Sequence, residues 1–201
     1  MQLGTISMSK DTSPLQNISP AVIKFRTNSN IYILKLQHEI VAIDAGDRAF
    51  RKDIELFLSK AVELDKVSKV FFTHLHYDHI GNFDLFRNAE FFASAQEIED
   101  WKKNRVAAIL NANIAEKFNV ELKPFPHQIE GLKIIETPGH TKGSVCFWHE
   151  KEKLLFTGDT IFKKQLLGRT DFPTSAPEQM HASIMRLLDY HFKLMLPGHD
   201  Y

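Results

Sequence analysis

Apolar positions along the chain fall into short β-type runs alternating with longer stretches of helical spacing. Ala21–Thr27 and Ile31–Leu36 are β-rich runs separated by the turn cluster Asn28-Ser29-Asn30, and together they predict a hairpin. The residues before them are polar and turn-forming and predict an irregular start. Ile40–Ala45 is a third apolar run; Ile54, Phe57, Leu58, Ala61 and Val62 then recur at helical spacing, predicting a helix over Asp47–Leu64. Val70–Thr73 is a short buried strand, followed by a dense polar cluster, a short helix-like stretch and another apolar run, Ala89–Ala93. Ser94 is placed to cap a helix with Glu97 at the capping-box spacing, and Ile98, Trp101, Val106, Ile109, Leu110, Ile114 and Phe118 continue the period as one long helix or two. Leu132–Glu136, Ser144–His149 and Leu154–Phe156 predict three more strands, Pro177–Tyr190 a helix with proline in its first turn, and Phe192–Leu196 a last strand. This alternation predicts an α/β architecture.

Composition narrows the class. Of 201 residues, 43% are hydrophobic and 25% charged, the balance of a globular protein, and a chain of this length buries roughly 70% of its unfolded surface on folding. No repeat, low-complexity tract or linker divides it, so residues 1–201 are expected to form a single domain. The 25 Lys+Arg balance 25 Asp+Glu, which argues against a nucleic-acid partner, since backbone binding needs many basic contacts. With no 18-residue apolar run and no signal-peptide pattern, no membrane partner and a cytoplasmic location are expected. The single cysteine, Cys146, excludes an intrachain disulfide and fits a reducing compartment; its setting, SVCFW, reads as a buried strand and so as core, not nucleophile.

Of the 10 histidines, five fall in three short motifs. The sequence from His74 to His79, HLHYDH, puts three imidazoles and a carboxylate directly after a strand. Such nitrogen and oxygen donors suit Zn, Fe or Mn, and the lack of nearby cysteines removes thiolate-rich structural sites. In extended chain, residues two apart project to one side, so His74 and His76 can share an ion, while Asp78 and His79, where the chain turns into a helix, aim elsewhere and can serve a second. His140 in TPGHT, Asp159 in FTGDT and His199 in LPGHD each end an apolar run next to glycine, so ligands from several strand ends are expected to converge on one sheet edge.

In this order the motifs resemble those of the metallo-β-lactamase-fold hydrolase superfamily, from about Asn30 to His199. The resemblance implies a four-layer αββα sandwich with the metals at one edge between the two sheets. It also implies that His74, His76 and His140 hold a first ion, that Asp78, His79 and His199 hold a second, and that Asp159 bridges them. Asp44 in AIDAG matches the motif whose aspartate supports the metal site from behind the ligands. The implied cofactor is two Zn2+, with Fe or Mn as alternatives, and the implied chemistry is attack by a bridging hydroxide, with Asp78 or Asp159 accepting and returning a proton.

Gly158 to Pro173, GDTIF…GRTDFP, resembles the glyoxalase II-like branch, whose members hydrolyse thioesters such as hydroxyacylglutathione. Full-length members of that branch carry a C-terminal helical domain that helps bind glutathione, whereas this sequence ends at Tyr201, two residues past the last ligand. An anionic thioester tail would therefore be met locally, by Lys163, Lys164 and Arg169, with Tyr77 as a further substrate contact. The segment 96–118 is expected mainly to pack Trp101, Ile109 and Phe118 into the core, its other uses being substrate contacts or a homodimer surface. Two other activities share the motifs: a persulfide (sulfur) dioxygenase with one Fe2+ on His74, His140 and Asp159, and a lactonase.

Overall fold

The computed structural model describes residues 13–201. The first twelve positions of the expected irregular start lie outside the described residues; beyond them the chain forms a short edge strand, β1 (Leu15–Asn17). The predicted hairpin is β2 (Val22–Arg26) and β3 (Asn30–Lys35), antiparallel with Lys24 opposite Tyr32. β4 (Ile40–Ile43) continues antiparallel, and β5 (Val67–Phe71), β6 (Glu90–Ala93) and β7 (Leu122–Pro124) then add in parallel, giving a seven-stranded sheet in sequential order. A second sheet, in the order β11-β10-β9-β8, consists of β8 (Lys133–Glu136), β9 (Val145–His149), β10 (Leu154–Gly158) and β11 (Leu194–Pro197), with only β10 and β11 parallel.

Period-two alternation sorts each strand between layers. Tyr32 and Leu34 of β3 join Phe147 of β9 and Phe156 of β10 in the core between the two sheets, whereas Ile31 and Ile33 face outward. That outer face meets Ile54 and Leu58 of the helical segment 48–61, and Ile98, Trp101 and Ile109 of the segment that follows β6. Cys146 and Leu155 point away from the central core to pack on Leu187 of the helix Met180–Leu187. Three apolar seams separating helix, sheet, sheet and helix make the four-layer αββα sandwich. Cys146 is fully buried in the smallest seam, where burial pushes its thiol up to about 11 against a hydrogen bond with Thr137.

Three local expectations change. The helix expected over 47–64 ends at Ala61, with Val62 extended, and its middle, Ile54–Leu58, is π-wound, the Ser59 N–H bonding the Ile54 carbonyl. The wider turn shifts the helical phase, so Ile54 and Leu58 are buried but Phe57 is 40% exposed. The segment after β6 is three helices, Ala95–Lys103, Arg105–Ile109 and Ala112–Lys117, because Asn104 and Asn111 each break the run by capping the next helix. The last helix, preceded by a turn at Pro177–Gln179, ends at Leu187 instead of Tyr190.

Candidate metal centre

Every residue singled out as a ligand stands just past the C-terminal end of a strand. β5 leads into the loop bearing His74 and His76 and then a short helix, Tyr77–Ile80, that carries Asp78 and His79. β8, β10 and β11 run into His140, Asp159 and His199. β8 and β11 both run parallel to β10, so their ends open at the same edge of the sandwich.

The seven side chains meet in three overlapping groups: His74, His76 and His140; His74, His79 and Asp159; and Asp78, His79 and His199. In each group one ligand atom per residue lies within 4.8 Å of the others. Donors bonded to a single ion at 2.0–2.1 Å in a tetrahedral array stand about 3.3 Å apart. Asp159 matches that spacing on both sides, with Oδ1 3.2 Å from His79 Nε2 and Oδ2 3.3 Å from His199 Nε2 and 3.6 Å from His140 Nε2. Asp78 Oδ2 is 3.3 Å from His199 Nε2. A metal ion also fits the loose ends here: His74 Nε2 and His76 Nε2 are buried without a hydrogen bond, a state that costs free energy unless something binds them.

The rings are aimed from behind, as ligating histidines usually are. His140 Nδ1 is 2.7 Å from the Arg169 carbonyl, His199 Nδ1 2.6 Å from the Asn28 carbonyl, and His79 Nδ1 2.8 Å from the Asp44 carboxylate. Asp44, buried and in the left-handed region at φ 59°, also accepts from the Thr73 N–H and hydroxyl at 2.8 and 2.9 Å, tying β4 to the ligand loop. The Asp159 backbone and carboxylate are crowded by glycine. A Cβ on Gly168 would stand 1.8 Å from the Asp159 carbonyl, and one on Gly198 2.2 Å from its Oδ1, so neither loop could approach with any other residue.

Glu97 has a role that its capping-box position concealed. The Ser94 hydroxyl does accept from the Glu97 N–H, but the Glu97 side chain does not return to the helix start. It is buried, accepting from the Leu75 N–H at 2.9 Å and from the Thr141 hydroxyl, so a single carboxylate joins the loop of His74 and His76 to the loop of His140. Burial pushes its carboxyl up to about 7 against those hydrogen bonds. Sequence spacing signalled a helix start here; nothing in it signalled that the side chain would be turned inward. Asn28, whose contact is a backbone carbonyl, left no sequence signal at all.

A cleft of about 640 Å³ opens over the centre, and His76, Asp78, His140, Asp159 and His199 reach it. Of the four expected substrate contacts, Tyr77 and Arg169 line it, and Lys163 and Lys164 do not. Lys163 lies 3.5 Å from Asp200, which also takes a buried ion pair from Lys24 at 2.5 Å. Arg169 is held by Asp171 at 2.7 Å and lies over the Phe172 ring. From the segment 96–118, Trp101, Ile109 and Phe118 are core as expected, and Leu110 alone reaches the cleft.

A model described as the metallo-beta-lactamase superfamily matches residues 25–199. The "Probable metallo-hydrolase" of Streptococcus pyogenes serotype M6 is 32% identical over 191 residues, covering 85% of this chain and 78% of that protein. A hydroxyacylglutathione hydrolase of Hydrogenovibrio crunogenus is 29% identical over 170 residues, with 79% of this chain matching 53% of its length. Among solved structures, that of TTHA1623 in a di-iron-bound form superposes with a TM-score of 0.69 at 22% identity, covering 90% of this chain and 92% of that one. Among the described residues, no helix is long and apolar enough to cross a membrane.

Proposed function

The chain belongs to the metallo-beta-lactamase superfamily, and we propose that it is a hydrolase with a dinuclear metal site, two zinc ions in the working enzyme, acting on a small thioester. The observation that carries the dinuclear reading is Asp159, whose carboxylate stands at ligand spacing from members of both groups: His79 and His199 of one, at 3.2 and 3.3 Å, and His140 of the other, at 3.6 Å. His74, His76 and His140 would hold one ion and Asp78, His79 and His199 the other. Held there, two divalent ions would lower the pKa of bound water to about 7, which would make a nucleophile available at neutral pH, and would polarise a carbonyl oxygen.

The chain's own part is orientation and proton handling. The backing bonds of Asp44, Asn28 and Arg169 leave Nε2 of His79, His199 and His140 facing inward. Phe172 packs against His76 and His140, with ring centroids 5.0 and 5.6 Å away, and Tyr201 stacks on His199 at 5.2 Å, narrowing the access of water to the ligands. Asp78, at the cleft, is the carboxylate that takes up and returns a proton, with Asp159 as its alternative.

Support for a thioester comes from the loop from Asp159 to Pro173, which resembles the glyoxalase II-like branch, and from the hydroxyacylglutathione hydrolase of H. crunogenus, although the chain spans about half that protein's length. The test is metal content of protein purified without added metal or chelator, followed by a thioester panel including lactoylglutathione and acyl-coenzyme A. Two zinc per chain and thioester cleavage are expected. One iron per chain, with oxygen uptake on glutathione persulfide, would replace this reading with the dioxygenase; zinc with no thioester turnover would remove the thioester and leave lactones to be tried.

A further inference from the structure

The cleft wall is apolar where an anionic tail would call for charge. Leu110, Phe162, Leu166, Leu167, Phe172 and Tyr201 line it, and apart from the candidate ligands the one basic side chain among the described residues that line it, Arg169, is paired with Asp171. Leu166, Leu167 and Tyr201 are 49%, 50% and 59% exposed, so water covers apolar surface directly beside the ligands. We propose that this wall is the acyl-binding subsite and that the enzyme selects thioesters with an aliphatic or aromatic acyl group over hydroxylated or charged ones.

Backbone strain at the rim supports this. Lys164 and Gln165 are consecutive residues at φ 58° and 62°, and the Leu166 N–H returns to the Lys163 carbonyl. Such a tight turn ordinarily calls for Asn-Gly. It is closed by a 2.7 Å bond from the Phe162 N–H to the Leu166 carbonyl and by pairing of Ile161 with Leu167, which sets Leu166 and Leu167 at the cleft. Across the cleft, Leu110 caps its helix in the left-handed region at φ 62°, a position where glycine or asparagine is usual. Two separate elements thus accept strained backbone where they carry leucine to the same cleft, and strain of this kind persists where it serves a site.

The reaction assumed is that of the proposed function; the selectivity rests on the cleft alone, and the two are separable by experiment. With zinc-loaded protein, butanoate, hexanoate and octanoate are titrated calorimetrically, and the matching N-acetylcysteamine thioesters are assayed for kcat/KM beside a lactoyl thioester of the same thiol. Each buried methylene should tighten binding and raise kcat/KM about fourfold until the wall is covered, with a negative heat-capacity change. The double variant Leu166→Ser, Leu167→Ser should flatten both series by at least tenfold across four methylenes. Equal affinity for the three carboxylates, or a lactoyl thioester preferred to butanoyl, overturns the subsite. Chain-length-dependent binding without cleavage of any thioester upholds the subsite and overturns the thioester reading instead.

Discussion

The two halves of the centre differ by one donor, three imidazoles in the first and two imidazoles with the Asp78 carboxylate in the second, and they are balanced in opposite ways. His74, His76 and His140 face one another with few carboxylates near. Burial, reinforced by the neighbouring imidazoles, holds His74 well below its usual range and His76 down to about 3. Around His79 and His199 the carboxylates win: burial opposes protonation, yet Asp159, Asp44 and Asp78 hold His79 well above its usual range, and Asp159 and Asp78 raise His199 to about 9. The first half is therefore a neutral lone-pair cage ready for a cation, while the second, without metal, is a network of ion pairs that must give up protons to bind one. Metal uptake by the second half should release protons and weaken more steeply on acidification.

The largest expected effect comes from removing the group shared by both halves. Asp159→Ala should lower kcat/KM by about a thousandfold or more and strip metal from both positions, read by elemental analysis. Two metals retained per chain would break the bridging assignment. Next is the strut that aligns the cage: Glu97→Ala orphans the Leu75 N–H and leaves the Thr141 hydroxyl with Ser144 as its partner, and should cost about 2 kcal/mol in denaturant unfolding, with metal lost before the fold, whereas Glu97→Gln should retain metal. Equal metal content in the two variants would show that Glu97 does not position the cage.

The alkaline limb of metal-free stability sharpens the contrast. His199 has a folded pKa of about 9 against 6.5 unfolded, so its contribution is fully present below pH 6.5 and is lost as pH rises through 9; His79 acts in the same sense. Chelated protein should therefore lose denaturant stability from pH 7 to 9.5, and His199→Asn should shallow that slope. A slope unchanged by the variant would sink the ion-pair description. The smallest effect expected is that of Lys164→Ala, which should change KM by less than about twofold because the side chain lies outside the cleft. A tenfold rise would return that lysine to the substrate.

Most of the centre was legible because its residues are chemically costly anywhere else. Histidine and aspartate clustered at strand ends, with His140, Asp159 and His199 each beside a glycine, have few other uses, and the strand alternation that stacks Tyr32, Phe147 and Phe156 between the sheets is written as period two. Local pattern thus carried the candidate donor set, the strand ends that deliver it and the layers those strands form. Tertiary structure alone decided the rest. It turned Glu97 from cap residue into strut, gave His199 a backbone carbonyl, drew Lys163 onto Asp200, and raised Leu110, Leu166 and Leu167 to the cleft on strained backbone. These are contacts between segments tens of residues apart, made by ordinary side chains or by the main chain, and local periodicity holds no record of a partner that arrives only when the chain is folded.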